Sequence, residues 1–111
     1  MKTYTTEQIT KAIEFGTQLL NEAGFNTAGF QEYWYTSNIS EWEKEEKHNL
    51  YVNMKYGRTY NGSRKWTRGC KMCINLNTLS YRDVSQDYNN ANERHTMEQI
   101  AVQIIDFLKY I

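Results

Sequence analysis

Two runs of alternating apolar residues stand either side of Asn61-Gly62, and they limit the possible folds more than any other feature of the chain. Leu50, Val52, Met54 and Tyr56 alternate before it, and Met72, Ile74 and Leu76 after it. That is the period of strands with one buried face. Asn-Gly readily takes the backbone angles of a two-residue hairpin turn. The parity of the hairpin can then be worked out. If Asn61-Gly62 alone made the turn, Leu50 would meet Cys73 and Val52 would meet Lys71, which puts the two apolar sets on opposite faces. A one-residue slip flips every side chain, so one residue must be added, by a longer loop or a bulge. Gly57 and Gly69 are the natural bulge sites. The adjusted register pairs Leu50 with Ile74, Val52 with Met72 and Met54 with Cys70, and continues outward with Tyr56 beside Arg68 and Arg58 beside Trp66. The inner half of the hairpin is expected in the core. The outer half, Tyr56 to Lys71, is expected to form a basic, aromatic arm.

A helix is expected at each end. Thr5-Thr6-Glu7-Gln8 fits a capping box, with Thr5 as N-cap and Gln8 reaching back. Ile9, Ala12, Ile13, Gly16, Leu19, Leu20 and Ala23 recur at helical spacing, and Gly24 supplies the stop, with Phe25 folding back on it. Thr96-Met97-Glu98-Gln99 repeats the capping pattern, and Met97, Ile100, Ala101, Ile104, Leu108 and Ile111 form a second stripe, widened by Ile105 and Phe107. Between the first helix and the hairpin, Phe30 to Ser37 is rich in aromatics and reads as a strand. Asn38 to His48 is acidic and polar and reads as a surface loop, with Ser40…Glu43 as a further capping box for a short helix. Asn77 to Asn92 reads as a long polar connection from which Leu79, Tyr81 and Val84 tuck against the sheet. The expected fold is a single α+β domain spanning residues 1–111, with a three-stranded antiparallel sheet and two amphipathic helices (order α-β-β-β-α) packed on one face. The other face of the sheet would be open.

Net charge is zero over 111 residues, but the charges are segregated. Residues 1–46 hold eight acids and three bases, residues 47–82 eight bases and no acid, and residues 83–111 five acids and two bases. The overall balance excludes nothing about nucleic acid, because the distribution makes one segment strongly basic. No apolar run approaches the roughly 18 residues of a membrane helix. The N-terminus lacks the apolar core of a secretory signal, so a cytoplasmic protein with no membrane partner is expected. The absence of proline and the abundance of Asn, Tyr, Lys and Ile point to an AT-rich bacterial or phage genome.

Catalytic motifs are few. Glu45-Glu46-Lys47 contains the E-x-K triplet of one nuclease superfamily, but that chemistry needs these residues on a strand beside a further acid that positions a metal. Cys70-Lys71-Met72-Cys73 lies in a strand pattern, where residues three apart point to opposite faces. Their Cα atoms would be about 10 Å apart at ~3.3 Å per residue, beyond disulfide reach. A zinc site would need His48 and His95 as well, brought together by the fold. Neither histidine has an evident partner for acyl transfer, and Gly57, Gly62 and Gly69 have hairpin spacing with no phosphate-loop pattern. No catalytic residue, metal or cofactor is expected.

The element order resembles that of double-stranded-RNA-binding domains, which run helix, three strands, helix. Those domains contact RNA through the first inter-strand loop and a lysine-rich start of the last helix. Here the corresponding stretch is acidic (Glu41, Glu43, Glu45, Glu46), and the last helix opens with Glu98 and no lysine. Both departures point against that mode.

The sequence therefore favours a small binding domain. Lys55, Tyr56, Arg58, Tyr60, Arg64, Lys65, Trp66, Arg68 and Lys71 carry cations that neutralise phosphates and rings that stack on unpaired bases, and a two-stranded ribbon can also enter the DNA major groove. The same Arg, Trp and Tyr set serves protein-interface hot spots. A protein-interaction or inhibitor module of phage or mobile-element type stays open as the alternative, with Glu41, Trp42, Glu43, Glu45 and Glu46 as a second contact. Complementary charge within one chain also allows self-association.

Overall fold

A computed structural model gives the fold and describes residues 3–25, 33–60, 63–84 and 91–111, with the side chains of residues 33–34, 56, 58–60, 63–68 and 91–92 outside the description. The elements run α1 (Thr6–Glu22), β1 (Tyr33–Lys44), β2 (Lys47–Tyr60), β3 (Ser63–Asn75), β4 (Ser80–Asp83) and α2 (Ala91–Lys109). The strands form one antiparallel sheet in the order β1-β2-β3-β4. The sheet has four strands where three were expected.

The hairpin register follows the parity argument as far as Tyr56. Leu50 pairs with Ile74, Val52 with Met72, Met54 with Cys70 and Tyr56 with Arg68. The register then shifts between Tyr56 and Gly57. Gly57 pairs with Trp66 and Arg58 with Lys65, so Thr67 is the extra residue, a bulge on β3 facing the Tyr56–Gly57 step. The expected pairing of Arg58 with Trp66 is corrected, because the bulge lies inside the outer half and only the inner half takes the shifted register. Tyr60 pairs with Ser63, and the Asn61-Gly62 turn itself lies outside the described residues.

Two further expectations are corrected. The acidic stretch is no loop: β1 runs on to Lys44, and Glu45-Glu46 makes a tight turn into β2 with Glu45 in the left-handed region at φ 57°. Glu45-Glu46-Lys47 therefore straddles a turn and lacks the strand placement that nuclease chemistry needs. The polar connection after Asn75 contains β4, reached by a turn that the Asn75 side chain organises. Its Oδ1 accepts from the backbone of Asn77 (2.8 Å) and Thr78 (3.2 Å). The expected turn at Asn26–Gly29, the strand start at Phe30 and most of the exposed turn at Asp87–Asn92 lie outside the described residues.

The α1 signals hold in detail. Thr5 and Gln8 form both bonds of the capping box, at 3.1 and 2.9 Å. At the other end Gly24 is left-handed (φ 86°), Phe25 N donates to Leu20 O (3.1 Å) and Gly24 N to Asn21 O (3.0 Å). This is a Schellman stop, with Phe25 buried beside Tyr35. By contrast α2 begins at Ala91, so Thr96, expected as its cap, lies inside the helix.

Both helices cover one face of the sheet. α1 lies against β1 and α2, and α2 against β3 and β4. Ile9, Ala12, Leu20, Met97, Ile100, Ile104 and Leu108 close over Ile39, Leu50, Val52, Met54, Cys70, Met72 and Ile74. Phe15 and Phe107 stack at 4.8 Å across the helix pair. Gly16 marks the closest approach of α1, where a Cβ would fall 2.7 Å from Ile104 Cδ1 and nearer still to Ile39 Cδ1. Among the described residues no helix is long and apolar enough to cross a membrane.

Candidate functional site

With both helices on one face, strand alternation assigns every second residue to the opposite face, on which no described helix lies. Three cross-strand rows organise its centre: Trp42–Asn49–Asn75–Ser80, Ser40–Tyr51–Cys73–Arg82 and Asn38–Asn53–Lys71. Thr36, Lys55 and Gly69 form the next row outward, and Lys44 and Lys47 close the opposite end. Five cations stand on this face: Lys44, Lys47, Lys55, Lys71 and Arg82. Among its described residues there is no carboxylate. All five are exposed, and among the described residues no ion pair reaches Lys44, Lys47, Lys71 or Arg82.

The acids go to the other side. Asp83 and Glu98 meet Arg94 at the start of α2, at 3.7 and 3.1 Å. Glu41 and Glu43 share the helix-side parity with Ile39, and Glu41 Oε1 meets His48 Nε2 at 2.8 Å. Glu41, Glu43 and His48 bring their donor atoms within 4.8 Å of one another, the one group among the described residues whose donors could converge on a cation. Trp42, between the two glutamates in sequence, stands on the opposite face. The expected acidic contact of Glu41, Trp42, Glu43, Glu45 and Glu46 is thus divided between two faces and a turn.

The open face is textured. Trp42 keeps 39 % of its surface exposed. Lys71 Nζ sits 5.2 Å above the Tyr51 ring, a cation–π contact that holds the ammonium over the middle of the sheet. Burial, a hydrogen bond to Cys73 and the charge that Cys73 takes on ionising raise the Tyr51 phenol above its usual range, and Arg82 opposes them. Neither cysteine is in a disulfide and both are buried, Cys70 in the core and Cys73 on the open side between Tyr51 and Arg82 in the register. Asn53 Nδ2 donates to Ser40 Oγ (3.1 Å) and ties β1 to β2. Two depressions indent the face. One, of about 220 Å³, is lined by Asn53, Lys55, Gly69, Lys71 and Val84, with Met54 and Cys70. The other, of about 330 Å³, lies between Lys47 and Arg82.

Of the residues expected to bind, Lys55 and Lys71 stand together on this face. Tyr56, Arg58, Tyr60, Arg64, Lys65, Trp66 and Arg68 have described backbones only. The register sets Tyr56 opposite Arg68, Arg58 opposite Lys65, Gly57 between Trp34 and Trp66, and Tyr60 opposite Ser63. The arm is also less isolated than expected, because β1 accompanies β2 as far as Arg58. Sequence reasoning overlooked Lys44, Lys47, Tyr51 and Arg82 as site residues and placed Trp42 in an acidic loop. Strand parity alone would have found them once the continuation of β1 to Lys44 and the whole of β4 were recognised. The chain matches no protein-family model, no curated protein and no solved structure.

Proposed function

We propose that the protein is a non-enzymatic binding domain that holds single-stranded nucleic acid across its open sheet face. The observation that carries this reading is the carboxylate-free row structure, five cations with Trp42 and Tyr51 among them. A face shaped only for solubility mixes charges of both signs. Cations that track a backbone beside rings that stack on bases are the combination that single strands require. From Lys47 to Lys55 the cations span about 27 Å at ~3.4 Å per residue, room for several nucleotides.

Geometry favours a single strand over a duplex groove. Four strands spaced about 4.8 Å apart put the outer two about 14 Å apart, wider than the ~12 Å major groove. Beyond Arg58 the paired ribbon narrows to Thr59–Tyr60 against Ser63–Arg64 among the described residues.

Fluorescence anisotropy with labelled single-stranded DNA and RNA tests the reading. Binding is expected at low salt, lost in Lys55→Glu/Lys71→Glu and kept in Lys11→Glu, whose charge lies on α1 beside Glu7. Absence of binding at low salt, or equal loss in both variants, would overturn it.

A further inference from the structure

The depression between Lys47 and Arg82 has chemistry that the rest of the face lacks. Asn49, Cys73, Asn75, Ser80 and Tyr81 complete its walls. Asn49, only 8 % exposed, lines it beside the two cations. The neighbouring amide is oriented: Asn75 Oδ1 is committed to the backbone of Asn77 and Thr78, which leaves its Nδ2 as the free end. Ser80 Oγ bonds Thr78 Oγ1 (2.7 Å) and keeps a second site for hydrogen bonding. The pocket thus gathers amide donors, a hydroxyl and two cations, with no carboxylate among its described walls.

Such a set suits an oxyanion and excludes a metal ion, for which two cations and no acid would be repulsive. The volume, about 330 Å³, equals roughly ten waters at ~30 Å³ each, enough for a phosphate with part of its attached group. Trp42 shares the cross-strand row of Asn49 and Asn75, so a base next to that phosphate would meet an exposed ring.

We propose that Lys47, Asn49, Asn75, Ser80 and Arg82 form a phosphate pocket, the fixed point at which one phosphate of a bound strand is seated. This assignment rests on the single-strand reading of the face. Nitrogen–proton correlation NMR tests it through the side-chain amides of Asn49 and Asn75 and the Arg82 Nε–H. Titration with inorganic phosphate in chloride buffer is expected to shift these signals saturably. In Lys47→Gln/Arg82→Gln, two exposed positions, the apparent affinity should fall at least tenfold. Linear shifts matching those of added chloride would overturn the pocket. A short single-stranded oligonucleotide forms the second arm and should move the same signals, with inorganic phosphate competing. If the strand binds but leaves the Asn49 amide unmoved, the pocket assignment fails and the face reading stands. If phosphate saturates the pocket and no strand binds, the pocket stands for free phosphate and the face reading fails.

Discussion

Replacing Gly16 by alanine tests how α1 is seated on the sheet, because two effects of opposite sign meet there. In an exposed helix interior the change stabilises by about 0.8–1 kcal/mol through backbone propensity. Here the new methyl would lie 2.7 Å from Ile104 Cδ1, 3.2 Å from Ile104 Cγ1 and closest to Ile39 Cδ1. Both isoleucines are packed, at 0 % and 8 % exposed, so neither can swing aside without displacing its neighbours. Overpacking of this kind costs about 1–3 kcal/mol. The contacts involve two side chains at once, so the upper part of that range applies and the net change should be a destabilisation of about 1–2 kcal/mol. Urea unfolding of Gly16→Ala, Ile39→Val and the double variant separates the terms. Ile39→Val removes the nearest methyl and alone should cost about 0.5–1.5 kcal/mol. In the double variant the two changes should couple favourably by about 1 kcal/mol. A Gly16→Ala protein more stable than the parent by about 1 kcal/mol would show that α1 does not approach β1 and α2 as described.

Three other outcomes follow from the same geometry. Glu45→Gly should raise stability by about 0.5–1 kcal/mol in chemical denaturation, since Glu45 is exposed and held at φ 57° where glycine has no steric penalty; a loss would contradict the turn. The Tyr51 phenol is raised above its ordinary value by burial, then by the charge of Cys73 and its hydrogen bond to that residue, with Arg82 opposing. Its contribution to stability is therefore complete below about pH 10 and is lost as pH rises through the folded value. Tyr51→Phe should flatten the fall in unfolding free energy above pH 10, and an unchanged slope would refute the assignment. Trp42→Ala should weaken single-strand binding by about 1–3 kcal/mol, roughly 5- to 150-fold, while leaving the unfolding midpoint nearly unchanged; unchanged affinity would remove Trp42 from the site.

The inner hairpin was legible because an alternating apolar pattern admits one register once a face must be buried. Leu50, Val52 and Met54 could face Ile74, Met72 and Cys70 only with one added residue, and Thr67 supplies it. The α1 boundaries were legible because Thr5, Gln8 and Gly24 each satisfy a specific backbone group. The outer half of β1 was hidden for a physical reason. Beyond Ile39 the strand carries Ser40, Glu41, Trp42, Glu43 and Lys44, with no apolar alternation to declare it, and is held by pairing with β2. Its turn uses Glu45-Glu46, without the glycine or asparagine that would have signalled it. β4 escaped notice because it has four residues and its turn is made by the Asn75 side chain. Missing the outer half of β1 and the whole of β4 had one consequence for function. The basic stretch read as an arm, when its inner cations combine with Lys44 and Trp42 of β1 to make a face.

The slope of log affinity against log salt for a single-stranded oligonucleotide tests the central claim most directly. Each phosphate neutralised on a single strand contributes about −0.7 to that slope. With three to five of Lys44, Lys47, Lys55, Lys71 and Arg82 engaged, the slope should be about −2 to −3.5. Lys47→Gln/Lys71→Gln should make it shallower by about 1.4. A slope near zero for the parent protein, or an unchanged slope in the double variant, would contradict binding across the open sheet face.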